Sequence, residues 1–443
     1  MSEPHKYPEA FLSRMKNILG NEFDAFVESL NQFSPTSVRA NPFKHVAGLA
    51  TNDGEENIPW CEKGSYLKER PSFTFDPLFH AGTYYVQEAS SMFIEQAWKQ
   101  INPTNQHVRV LDMCAAPGGK STHLLSLMSE ESLLVSNEII PNRNKILQQN
   151  IVKWGTENCI VTQNKPEDFA SLENFFDVIL IDAPCSGEGL FRKDKDAIDE
   201  WSERNVELCA IRQKEILQYA IACLKPGGFL IYSTCTFEEI ENDNQITDCG
   251  LQITELEIPK FGQVKTKHGY QFYPHKIKGE GFYIAVMQKE GSEFGIQNSE
   301  FRIKTGNPSA NNLQYLQQPE KFEKHIKNDM LFAIPQIHYS DFLFIEKQFY
   351  IRHAGIFMGT LKGKDFLPSH DLALSNYIKQ DLPAVELNYD DAITYLRCET
   401  PKIKPEHRGW CLVKYQNQNL GWIKAMEGRF NNYFPKELRI LKR

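Results

Sequence analysis

Close cysteine pairs are missing from this 443-residue chain: ten cysteines are scattered along it, and no two form a C-x-x-C. That excludes a disulfide scaffold or a zinc-ribbon framework and fits a reducing compartment. Long apolar runs are missing too, since nothing approaches the roughly 18–20 unbroken apolar residues of a membrane span. The opening Met1-Ser-Glu-Pro-His-Lys has neither the basic nor the apolar region of a secretory signal. A cytoplasmic protein with no membrane partner is expected. Positive charge is also short, with 49 Lys+Arg against 57 Asp+Glu, which argues against bulk nonspecific binding to nucleic acid. Internal repeats and low-complexity segments are absent.

What is there is an ordinary globular composition, with one asymmetry. Between Pro401 and Arg443 ten basic residues, Lys436 and Arg439 among them, face only three acidic ones. This tail is a candidate electrostatic footprint for RNA or simply a solvated basic end.

Apolar spacing divides the chain. Phe11, Met15, Ile18 and Leu19, then Phe23, Phe26, Val27 and Leu30, recur at helical intervals. A loop rich in Gly, Asp, Glu and Pro covers Gly48 to Pro59. From Arg109 short apolar runs (Val108–Met113, Leu133–Ser136, Ile160–Thr162, Val178–Ile181, Phe229–Tyr232) alternate with amphipathic helices. One such helix, carrying Ile211, Ile216, Leu217 and Leu224, is expected to stop at Lys225-Pro-Gly-Gly. This alternation predicts a mostly parallel, doubly wound α/β sheet, with Phe282–Met287 as a late edge strand. A polar linker follows, and short strands are expected at Phe342–Ile345, Phe349–Ile351, Trp410–Tyr415 and Leu420–Ile423. The expected units are residues 1–95, 96–290, a linker at 291–318, and 319–443.

The chemistry concentrates in three segments. Val110-Leu-Asp-Met-Cys-Ala-Ala-Pro-Gly-Gly-Lys-Ser-Thr places a tight glycine loop between a strand and a helix. Backbone amides at such a helix start can approach a carboxylate or phosphate closely. Glu138, about twenty residues on at the end of the next strand, is placed to accept both hydroxyls of a ribose. Neither the ATP-binding G-x-x-x-x-G-K-[ST] nor the dinucleotide G-x-G-x-x-G fits. The loop of Cys114, Ala115, Ala116, Pro117, Gly118, Gly119 and Lys120 suits an amino-acid-bearing nucleoside such as S-adenosylmethionine. Asp182-Ala-Pro-Cys-Ser-Gly and Ser233-Thr-Cys-Thr end two later strands, which puts Asp182, Cys185 and Cys235 at the crevice holding that loop. A zinc site from Cys114, Cys185 and Cys235 would lack close-spaced ligands and histidines, so no metal is assigned. Cys61, Cys159, Cys209, Cys223, Cys249, Cys398 and Cys411 are read as small buried apolar residues.

Together Ala115-Ala-Pro-Gly-Gly-Lys, Asp182-Ala-Pro-Cys-Ser-Gly and Ser233-Thr-Cys-Thr resemble the RNA (cytosine-5) methyltransferases of the sun/nucleolar-protein family. Arg39-x-Asn-Pro, Tyr85-Val-Gln-Glu-Ala-Ser-Ser, Pro274-His275, Gly279-Glu-Gly-Phe and Asn431-Asn-Tyr-Phe-Pro-Lys-Glu-Leu-Arg resemble its RsmF-like bacterial branch. That branch often carries an acidic residue near the adenine, where this chain reads Gln163-Asn164-Lys165, so no adenine contact is assigned there. The resemblance implies a Rossmann-like methyltransferase core, a small N-terminal α/β extension and a C-terminal PUA-like RNA-binding domain (α+β or β-barrel). It implies S-adenosylmethionine as cofactor and structured RNA, ribosomal RNA or the small ribosomal subunit, as partner; the sequence does not set the oligomeric state, and a monomer is favoured. By the same likeness Cys235 is the nucleophile that adds to cytosine C6, since a free thiol must be activated to attack. Asp182 stabilises the ring near N3 and contacts the cofactor. Cys185 assists loss of the C5 proton, and Lys120 orients the catalytic loop or the cofactor carboxylate. A tRNA methyltransferase, a non-catalytic RNA-binding assembly factor and a small-molecule methyltransferase stay open as alternatives.

Overall fold

The computed structural model describes residues 7–44, 56–101, 107–247, 249–291, 313–363 and 365–441. Most of the expected linker, part of the loop from Gly48, the first six residues and Lys442 and Arg443 of the basic tail lie outside the described residues.

Five apolar runs form the parallel heart of the main sheet: β1 (Arg109–Asp112), β2 (Leu133–Asn137), β3 (Cys159–Thr162), β4 (Phe176–Asp182) and β5 (Leu224–Thr234). They lie side by side as β3-β2-β1-β4-β5, all parallel. Alternate residues feed opposite cores, as expected of strands covered on both faces. Val110 and Leu134 pack with Leu124, Leu147 and Trp154 from helices α1 (Gly119–Leu127) and α2 (Pro141–Trp154). Leu111 and Ile179 pack with Ile216, Leu217 and Ala220 of α3 (Glu203–Cys223). The strand order reverses between β1 and β4, which opens a crevice at their carboxyl ends.

Four expectations are corrected here. Lys225-Pro-Gly-Gly does end α3, but β5 already begins at Leu224 and runs through it. Gly227 has a positive φ of 80°, and a side chain on Gly228 would meet the Asp177 carbonyl oxygen at 2.8 Å. Phe282–Gln288 (β6) is not an edge strand: it runs antiparallel to β5 and is flanked on its other side by Tyr270–Phe272 and Gln252–Ile253. Its nearly unbroken burial is the signature of an interior strand. Phe342–Ile345 is helical, within Tyr339–Glu346, because Phe342 and Ile345 share one buried face while Phe344 is exposed. The strand expected at Phe349–Ile351 is shifted to Ile351–Ala354 (β7), which pairs antiparallel with β3 and so extends the main sheet.

The N-terminal helices Glu9–Leu19 and Phe23–Leu30 bury Phe11, Met15, Phe26 and Leu30 against Phe191, Phe237 and Tyr273. Ile18, expected on the same face, is exposed. A four-stranded sheet centred on Gly64–Leu67 and Thr36–Ala40 follows. The C-terminal region holds two further four-stranded sheets, Phe322–Pro368 and Ala384–Asn432 in extent. Leu331, Met358, Leu412 and Trp422 join them in one core. Among the described residues no helix is long and apolar enough to cross a membrane.

Candidate active site

A cleft of about 870 Å³ opens at the carboxyl ends of β1, β2, β4 and β5. Its floor is the turn from β1 into α1. Cys114, Ala115, Ala116, Pro117, Gly119 and Lys120 line it, the Ala116–Pro117 bond being cis. Gly118 takes a φ of 108° and turns toward Leu147 of α2 rather than into the cleft. A left-handed residue there suits only glycine. The N-terminal region braces this helix start. The buried Arg39 donates to Gln87 Oε1 at 2.9 Å, to the Gly119 carbonyl at 3.2 Å and to Thr122 Oγ1 at 2.7 Å, and its guanidinium lies over Trp154. Arg39 of the Arg39-x-Asn-Pro motif thus holds the start of this helix.

Two carboxylates flank the turn. Glu138, at the end of β2, is nearly buried; Oε1 accepts from the Ile140 amide at 2.8 Å and Oε2 lies 3.4 Å from Arg143. Asp112 ends β1, fully buried, with Oδ2 accepting from Ser121 Oγ at 2.6 Å. Burial pushes its pKa up to about 7, although Ser121 and the Cys114 amide ease the charge. Its Oδ1 makes no hydrogen bond, and the residue lines the cleft.

The opposite wall carries the thiols. Cys185 and Cys235 Sγ lie 3.2 Å apart, and the Cys235 amide donates to Cys185 Sγ at 3.4 Å. Lys120 Nζ bonds Asp182 Oδ2 at 2.8 Å, and Ser233 Oγ donates to Asp182 Oδ1 at 2.9 Å. Burial works against the Lys120 charge, but Asp182 outweighs it and holds this pKa above the usual lysine value. The thiol pair is unequal. Hydrogen bonding with Cys185, helped by Lys120 and Lys193, lowers the pKa of Cys235 against the opposing effects of burial and Asp182. The same bond, burial and nearby Glu241 push Cys185 well up.

This geometry meets known proteins along most of its length. Residues 99–288 match the model of the 16S rRNA methyltransferase RsmB/F, 7–89 the N-terminal domain of 16S rRNA methyltransferase RsmF, and 382–440 the methyltransferase RsmF PUA domain. A ribosomal RNA small subunit methyltransferase F from Vibrio atlanticus is 30% identical over 473 residues, covering 97% of each chain. The chain belongs to the RsmB/F methyltransferase family. A second methyltransferase F, from Shewanella loihica, is 30% identical over 416 residues, covering 86% of this chain and 83% of its own. Among solved structures, a methyltransferase homolog from Pyrococcus horikoshii superposes with a TM-score of 0.55 at 28% identity. It covers 64% of this chain and 95% of its own.

In this RsmB/F family chain every residue expected at the site lies at the cleft except Gly118, which shapes the turn from behind. Other lining residues were not expected. Tyr85 and Gln87 arrive from the N-terminal region, Ile139, Ile140 and Arg143 follow Glu138, and Lys193, which favours the Cys235 thiolate, and Arg212 also line the cleft. Beyond β3, Asn164 and Lys165 cap the next turn through Asp168. The acidic residue of the cleft there is Glu167, beside Pro166. The motif Gly279-Glu-Gly-Phe supplies Glu280, Gly281 and Phe282 to the wall. Of the seven other cysteines, Cys61, Cys159, Cys223 and Cys411 are buried as expected, whereas Cys209, Cys249 and Cys398 are partly exposed. Cys61, Glu95 and His123 cluster behind α1, where the Glu62 amide, Lys99 and His123 already take up Glu95.

Proposed function

We propose that this chain methylates C5 of a cytosine in small-subunit ribosomal RNA, with S-adenosylmethionine as donor and Cys235 as nucleophile. The observation that carries the reading is the unequal pair of thiols 3.2 Å apart beside a Lys120–Asp182 ion pair, on the wall facing a glycine-loop cleft. A small-molecule methyltransferase has no use for two such thiols, and a non-catalytic RNA-binding scaffold has no need to keep one of them ionisable.

The residues present fit the donor. Asp112 offers a buried oxygen without a partner, suited to an ammonium. The amides that open α1 suit a carboxylate, and Glu138 suits ribose hydroxyls. When bound there, S-adenosylmethionine supplies an electrophilic methyl group. The protein's own work lies on the cytosine. Cytosine C5 is a weak nucleophile until a sulfur adds at C6, and Cys235, its pKa lowered, is the thiol poised to add. Asp182 faces the ring near N3 and steadies the charge that addition develops. In the release step the C5 proton passes to water, the C5–C6 double bond re-forms and Cys235 leaves C6 as a thiolate; Cys185, its proton retained, assists by hydrogen-bonding the departing sulfur. A base buried in an RNA helix would be flipped or taken from a single strand.

RNA recognition falls to residues 319–443 on this reading. The match to a PUA domain and the exposed Lys436 and Arg439 support it. A ribosomal substrate supports a cytoplasmic site. Tritium carried from labelled S-adenosylmethionine should appear in ribosomal RNA and not in free cytidine. Label in cytidine alone would make the chain a small-molecule enzyme; label in transfer RNA would move the substrate; none at all would leave a binding protein.

The cofactor assignment has its own test. Glu138→Ala should remove charge-assisted hydrogen bonds worth roughly 1.5–3 kcal/mol, about 10- to 150-fold in affinity for S-adenosylmethionine. Unchanged calorimetric affinity in a folded variant would take Glu138 off the ribose.

A further inference from the structure

The two cysteine loops are joined by a carboxylate that does not line the cleft. Glu188 lies three residues after Cys185 and is fully buried. Its Oε2 accepts from Thr236 Oγ1 and from the Phe237 amide, both at 3.1 Å, and these are the two residues that follow Cys235. The Gly189 amide donates to the Cys235 carbonyl at 2.8 Å. A side chain on Gly189 would come within 2.9 Å of that carbonyl oxygen, so the loops are at closest approach here.

The far side of Glu188 is held from outside the methyltransferase sheet. Trp201 Nε1 donates to Oε1 at 2.9 Å, and Arg14 Nη2 lies 2.7 Å from both oxygens. Arg14 also bonds Glu238, in the turn after Cys235. It belongs to the helix Glu9–Leu19, whose Phe11 and Met15 are buried against Phe191 and Phe237. The helix is therefore anchored on the very loops it braces.

We propose that Glu188 is a positioning residue for the methyl transfer, locking the Cys235 loop to the Cys185 loop, with Arg14 of the N-terminal helix as its counter-charge. The proposal rests on the reading in which these cysteines do the chemistry. It makes the N-terminal region part of the catalytic apparatus. A purely structural ion pair would stabilise the fold without favouring one acceptor geometry over another, and that difference can be measured.

Replacing Glu188 alone strands Arg14 and could unfold the chain, so the test removes both charges. The double variant Arg14→Met with Glu188→Gln keeps an oxygen for the Phe237 amide. Arg14→Met with Glu188→Leu keeps the volume and loses the acceptor. The Leu double should turn over about 10- to 100-fold more slowly than the Gln double, the loss expected when reacting groups shift by about 1 Å. KM for RNA and calorimetric affinity for S-adenosylmethionine should agree within about threefold. Equal kcat in the two doubles, or cofactor affinity falling in step with kcat, would reduce the Arg14–Glu188 pair to a structural role. If the cysteine roles are wrong, Cys235→Ala will stay active, whereas the contrast between Gln and Leu will persist whichever thiol attacks.

Discussion

Cys185→Ala protein, mixed with substrate RNA and S-adenosylmethionine, should accumulate a protein–RNA adduct that survives denaturing electrophoresis, while Cys235→Ala should give neither adduct nor methylation. The thiols lie 3.2 Å apart, so one cytosine can reach both, and proximity does not choose between them. Electrostatics does. Cys235 shares a hydrogen bond with Cys185, and Lys120 and Lys193 nearby favour its thiolate. The bond to Cys235, burial and nearby Glu241 hold the proton on Cys185. The thiolate is the nucleophile, so losing Cys235 removes the first bond to C6. Losing Cys185 removes that hydrogen bond and slows attack, but Lys120 and Lys193 still favour the Cys235 thiolate, so the methylated adduct forms and its release stalls. Opposite failures are not what general unfolding produces. An adduct from Cys235→Ala with none from Cys185→Ala would exchange the two roles.

The wall that carries the thiols was legible in the sequence because its residues end a strand or closely follow one. Asp182 ends β4, and Cys235 directly follows β5; a doubly wound sheet sends such positions to one crevice. The glycine loop was legible for the same reason. What escaped is what arrives from elsewhere in the chain. Tyr85, Gln87 and the bracing Arg39 reach the loop from the N-terminal region, and neither period nor spacing encodes that docking. Nothing in the sequence marks Glu188, between two glycines, since only the fold brings Thr236, Phe237 and Arg14 onto it. Local apolar pattern misjudged Phe342–Ile345, because a four-residue apolar run fits a buried strand and one helical face equally well. It also gave no sign that Ile351–Ala354 would leave the C-terminal region to pair with β3.

Asp182→Asn should separate two quantities that collapse of the site would lower together. Turnover should fall about 10²- to 10³-fold, the usual cost of removing one group that stabilises developing charge. Reaction of Cys235 with iodoacetamide near neutral pH, followed by mass spectrometry without RNA, should become faster. The sign follows from the neighbours. Asp182 is an anion beside Cys235 and opposes its ionisation, whereas Lys120 favours it. With Asp182 neutral, Lys120 loses its 2.8 Å partner, and the Cys235 thiolate becomes its principal counter-charge, a pairing already felt by the lysine. The thiol therefore ionises at lower pH, and the enzyme holds a more reactive nucleophile that it cannot use. Lys120→Met should move the thiol the other way, slowing alkylation. Turnover and alkylation falling together in Asp182→Asn would mean that the carboxylate only shapes the wall, and unchanged turnover would remove it from the ring chemistry altogether.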